Sequence, residues 1–181
     1  MIVLFEYLSG VRWGIVLCIV TILFSFILGA WMGMDENFFK GNFKQGVQAN
    51  ASKLFNNDKA KMDRALDRAW TYVKRSHMHA AGLGVSGLVI VMLIPLVISS
   101  KLWQMLLSVG MGLGSLGYPL GWLIAGYRVP WSASTDVAKA SIDWLVFPSA
   151  GLLLAVTTIT LALLLRQCFS GKDASSTLST R

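Results

Sequence analysis

The sequence is short of charge. Only 14% of its 181 residues are Asp, Glu, Lys or Arg, whereas a water-soluble domain carries about a quarter. That shortage argues against an ordinary water-soluble core. Cysteine is scarce too: Cys18 and Cys168 are the only two, and no CxxC or Cys/His spacing accompanies them. A disulfide framework and a zinc site are therefore excluded, and both cysteines read as small apolar residues in helices. The chain lacks HExxH, GxSxG and a P-loop, so no familiar hydrolytic or nucleotide-handling motif is present. It also lacks a basic run interleaved with aromatics, and nucleic acid is not an expected partner.

What is present is apolar and blocky. Hydrophobic residues make up 55% of the chain, and they fall into four long blocks. A helix rises about 1.5 Å per residue and the bilayer's hydrocarbon core is about 30 Å thick, so a crossing takes about 20 residues. Residues 13–33, 80–98, 102–127 and 145–165 each meet that length without an interior Asp, Glu, Lys or Arg. The pattern predicts an all-α integral membrane protein, a four-helix transmembrane bundle. Block one exceeds the apolar core of a signal peptide, and Trp31 and Met32 stand where small cleavage-site residues would. It reads as a retained anchor, preceded by an interfacial segment at 1–12.

A polar stretch at 34–79 separates the first two blocks. Its first half, with Asn37, Gly41, Asn42, Gly46 and Asn50, has loop character. In 58–75, Met62, Ala65, Leu66, Ala69 and Val73 recur at helical spacing among Lys and Arg. That predicts an amphipathic helix, capped by Asn57 or Asp58 and leading unbroken into the second span. Residues 128–144 form a second loop, and the Ser/Thr-rich tail at 170–181 is expected to be disordered.

An even number of spans puts both termini on one side, with Lys101. That side holds five Lys and Arg, and the opposite side, with both loops, holds eleven. The positive-inside rule assigns the loop side to the cytoplasm. Arg12 before span one and Asp35 and Glu36 after it pull the other way. The expected location is a bacterial inner (cell) membrane, with membrane lipid and other membrane subunits or a homo-oligomer as partners.

Small residues let membrane helices approach closely. Each span carries a row of them: Gly14, Cys18, Thr21, Ser25 and Gly29; Ala80, Gly84 and Gly87; Gly110, Gly114, Gly117, Gly121 and Ala125; Gly151, Ala155, Thr158 and Ala162. Pro95 and Pro119 interrupt the backbone bonding of spans two and three. Beside the second, the Tyr118 phenol is placed to bond a ligand or a freed carbonyl.

The only histidines, His77 and His79, stand at the loop-side start of span two. Two residues apart on a helix they point about 200° apart, so one metal cannot take both unless the backbone is extended. His77 shares a face with Gly84, an arrangement that would let a porphyrin or quinone ring lie on a glycine-lined helix beside an imidazole. Arg75, Tyr118, Trp122 and Arg128 complete a candidate binding set at a loop-side mouth, with Lys139 as a further cation. The competing reading is an aromatic belt with snorkelling cations.

With four spans and a histidine at the membrane edge, the chain resembles small b-type cytochrome subunits of respiratory membranes. The resemblance covers topology and one His-bearing helix start. It implies haem b held by axial histidines on two helices. This sequence has no second His-bearing span, so a bis-His haem would need a partner chain or a symmetric dimer. The first expectation is a non-catalytic subunit or scaffold of a membrane complex; the second is a haem- or quinone-binding electron-transfer subunit; the third is a transporter or channel component.

Overall fold

The computed structural model describes residues 6–170, and every regular element in that range is helical. In chain order these are α1 (Arg12–Met34), α2 (Glu36–Ala49), α3 (Ala51–Phe55), α4 (Lys59–Val97), α5 (Lys101–Arg128), a 3-10 turn (Val129–Trp131), α6 (Thr135–Ala140) and α7 (Asp143–Ser170). Helices α1, α4, α5 and α7 are long and apolar enough to cross a membrane. In hydrocarbon every backbone N–H and C=O must bond internally, and a helix is the element that does so within one segment. Residues 1–5 and the tail from 171 onward lie outside the described range, so neither the start of the interfacial segment nor the disorder of the tail is addressed.

The loop expected after span one is instead helix α2. Asp35 ends α1, giving its N–H to the Trp31 carbonyl at 2.9 Å, and then starts α2, its carboxylate accepting the Phe38 N–H at 3.0 Å. Such a cap is worth about 1 kcal/mol. Phe39, Phe43 and Val47 then fall at steps of four and are all buried. Gly46, read from sequence as a breaker, is a point of close approach. A Cβ there would lie 2.8 Å from the Pro130 Cβ. Burial of three large side chains outweighs the helix cost of the glycines, about 1 kcal/mol each.

Asn56 and Asn57 take left-handed backbone angles, with φ of 52° and 56°, a conformation that asparagine tolerates better than most residues. They turn the chain into α4. Asp58 caps α4, accepting the Lys61 N–H at 3.2 Å. From there α4 runs 39 residues without a break, a rod of about 58 Å, roughly half of it longer than the bilayer requires. The polar half and the buried faces of α2 and α3 form one apolar core with the 3-10 turn and α6, around Phe39, Phe43, Phe55, Ala69 and Val129. This is the cap, at the expected loop side of the bundle.

Within the membrane, α5 is the central helix. Half of its most apolar stretch is buried, against 17% for α7. It packs on α4, α1 and α7. Three of the small-residue rows are closed between these helices. Gly14 meets Ser108, Gly84 meets Ile22, and Gly114 and Gly117 meet Ser149. The fourth row does not close: Gly151, Ala155, Thr158 and Ala162 are exposed, and a Cβ at Gly151 would touch nothing within 4 Å. On α7 the buried positions are Ser149, Val156 and Thr160. Bulk from α7 is what fills the glycine row of α5.

Both α4 and α5 continue through their prolines. Beside the second, Ser76 forms a hydrogen bond between the two helices. Its hydroxyl donates to the Pro119 carbonyl at 2.8 Å, in a buried contact between α4 and α5.

Candidate functional site

Counting about 20 residues back from Val97 along α4 reaches His77, and about 20 onward from Lys101 along α5 reaches Gly121. The hydrocarbon boundary at the cap end therefore lies near these residues. Here α4 presents two faces, and they divide the expected site.

One face carries Tyr72, Arg75 and His79, three and four residues apart, and meets Tyr118 and Trp122 of α5. The Arg75 guanidinium carbon lies 4.5 Å from the centre of the Trp122 ring and 5.6 Å from that of Tyr72. Tyr72 and Trp122 are 5.2 Å apart, and the His79 ring stands edge-on to Tyr118 at 5.1 Å. A cation over an indole contributes about 0.5–2 kcal/mol, most where water is scarce. The Trp122 indole N–H is buried without a hydrogen-bond partner. Sequence reading placed Arg75, His79, Tyr118 and Trp122 in one site, and these four converge. Tyr72, expected from sequence among the residues ringing the mouth but not in the binding set, joins them, three residues from Arg75 on the same face.

The other face carries His77 and Gly84 and is covered by α1. His77 Nδ1 lies 2.9 Å from the Ser25 carbonyl and 3.1 Å from its hydroxyl, which donates to the His77 carbonyl at 3.0 Å. That geometry places a proton on Nδ1, donated to the carbonyl. The ring sits under Gly29, whose absent Cβ would approach His77 Cε1 to 2.6 Å. Gly84 faces the Ile22 side chain and the Cys18 carbonyl at 2.7 and 3.3 Å from its would-be Cβ. The space in which a porphyrin would lie along this face is filled by α1. A haem seated between His77 and Gly84 does not fit this packing, and the two imidazoles face different helices, His77 towards α1 and His79 towards α5. Among the described residues no group of three or more His, Cys, Asp or Glu side chains is placed to hold an ion.

The cations expected at the mouth do not come together. Arg128 donates to the Ser141 carbonyl at 2.8 Å and pins the second loop, and Lys139 lies 3.8 Å from Asp136. Neither joins Arg75 as a common anion clamp. Trp31, Phe38, Phe39, Phe43, Trp70 and Tyr127 stack in a separate chain of rings with neighbouring centroids 4.7–6.4 Å apart. Helix α2 inserts Phe39 and Phe43 among these rings. Comparison with family models, with curated proteins and with solved structures finds no match to this chain.

Proposed function

We propose that this chain is a non-catalytic subunit or scaffold of a membrane complex, set in a bacterial inner (cell) membrane with the cap in the cytoplasm and both termini on the other side. Its partners are other membrane subunits or a second copy. One observation carries the reading: the small-residue row of α7 faces outward while the rows of the other three spans are closed within the chain. Small residues facing lipid gain little, whereas against another helix they allow close backbone approach. Inside the bundle, Ser25, Ser76 and His77 are spent on contacts between helices, which suits a frame more than a reaction centre.

The test is the mass of the protein extracted in mild detergent, read by native mass spectrometry. The expected species is larger than one chain, and Gly151→Leu with Ala155→Leu reduces it to the monomer without unfolding it. A wild-type chain that is monomeric and free of co-purifying subunits would sink the proposal.

A second reading rests on the Arg75–Trp122–Tyr118–His79 cluster. Its donors and ring faces suit a quinone headgroup, whose carbonyl oxygens would accept from Arg75 and His79. A short-chain ubiquinone analogue should then quench tryptophan fluorescence saturably, and His79→Ala should abolish the effect. Non-saturating quenching in the wild type would dismiss this reading.

A further inference from the structure

Away from the bundle, the cap contains a cleft of about 290 Å³ between α4 and the segment leading from the 3-10 turn into α6. One wall is cationic. Lys61, Arg64 and Arg68 follow at steps of three and four along α4 and all line the cleft, so they share one helix face. The other wall is rich in hydroxyls, with Ser132, Ser134 and Thr135. Its floor is apolar, closed by Phe55, Ala65 and Val129. No Asp or Glu lines it.

The cations are poorly neutralised. Among the described residues three ion pairs form, Lys40 with Glu36, Lys61 with Asp58 and Lys139 with Asp136. Arg64 and Arg68 enter none. The Lys61 pair is long, at 4.0 Å. Like charges one turn apart on a helix oppose each other, and a concave wall concentrates their field. On the facing wall, the Ser134 hydroxyl accepts the Val137 N–H at 3.3 Å, which leaves its own proton free for an incoming oxygen. The Ser132 hydroxyl is committed to the Arg128 carbonyl at 2.8 Å.

We infer that this cleft binds a phosphate-bearing group. The arginine forks match phosphate oxygens in pairs, and Lys61 adds a point charge. Ser134 and Thr135 donate from the opposite side. Val129 lies eight residues beyond Gly121, about 12 Å past the hydrocarbon boundary on a helical rise. That is about 5 Å beyond the headgroup layer, open to a soluble phosphate compound and within reach of an extended phosphorylated lipid headgroup alike.

The experiment uses the full chain in two kinds of nanodisc. In pure phosphatidylcholine discs, inorganic pyrophosphate binding is followed by calorimetry. In discs containing a phosphatidylinositol phosphate, bound lipid is counted by native mass spectrometry. Saturable binding in the first arm identifies a soluble ligand, and selective lipid retention in the second alone identifies a headgroup; either supports the site. In the responding arm, Arg64→Gln with Arg68→Gln should weaken binding at least tenfold and Thr135→Val severalfold. Lys59→Gln, a nearby exposed cation outside the cleft, should change it less than twofold. No binding in either arm overturns the inference. So does a loss with Lys59→Gln as large as that with an arginine variant, since only diffuse charge would then be at work. All four arginine, threonine and lysine side chains sit on the cap surface or half-buried, and circular dichroism of each variant checks that the fold is kept.

Discussion

A helix turns about 100° per residue, so His77 and His79 look in nearly opposite directions although one residue separates them. His79 faces Tyr118, and His77 is wedged against α1. Their loss should therefore read out differently. His77→Ala removes the bond to the Ser25 carbonyl and leaves a void under Gly29. A side-chain hydrogen bond between membrane helices averages about 0.6 kcal/mol, and a buried void adds more, so about 1–3 kcal/mol of bundle stability should go. His79→Ala should cost less than about 1 kcal/mol, because its ring is half-buried and makes one edge contact. The midpoint of SDS-induced unfolding in mixed micelles measures both. Gly29→Leu supplies the cross-check: alone it clashes with the His77 ring, and in the His77→Ala background the void receives it. A double variant no better than Gly29→Leu alone would show that the ring is not packed there.

Among the elements, those with an uninterrupted pattern were readable and those resting on a distant contact were not. The four crossings follow from runs of uncharged residues longer than the hydrocarbon core is thick. The amphipathic start of α4 follows from the spacing of Met62, Ala65, Ala69 and Val73, and Asp58 is its cap as expected. Helix α2 was hidden because Gly41, Asn42 and Gly46 carry the local signature of a loop, while the residue that makes Gly46 necessary, Pro130, lies 84 positions away. The binding set was half visible for the same reason. Shared faces on one helix, Arg75 with His79 and Tyr118 with Trp122, can be counted from spacing. Which face α1 covers cannot, and that is where His77 and Gly84 went. The α2 assignment gives a direct prediction. Gly46→Leu forces the side chain into Pro130 and Trp131, at a cost of about 1–3 kcal/mol, borne by the cap. Hydrogen exchange should quicken across 36–49 and in the 3-10 turn while the membrane-buried amides of α5 stay protected. Uniform quickening throughout the chain would contradict a separately packed cap core.

At the scale of the whole molecule, charge placement sets the direction of insertion. Along the chain, the cap and its loops hold eleven of the sixteen Lys and Arg residues. The acidic pair Asp35 and Glu36, which end span one, argue for the opposite sense, but carboxylates weigh little in topology compared with Lys and Arg in short loops. The connecting stretch at 34–79 is within the length over which cations count. Arg12 is a single cation set against the cluster on the cap, so the cap should remain in the cytoplasm. The two cysteines make this measurable without adding a reporter. Cys168 is exposed near the end of α7 farthest from the cap, and Cys18, on α1, is fully buried against Gly87 of α4 and Ser115 of α5. A membrane-impermeant maleimide applied to intact cells should label Cys168 from outside and leave Cys18 untouched until the bundle is unfolded. Labelling of Cys168 only after the cells are broken would reverse the orientation and put the cationic cleft of the cap on the outer face. Labelling of Cys18 in the native protein would mean instead that α1 is not seated on α4 and α5, and the closed small-residue faces would fail with it.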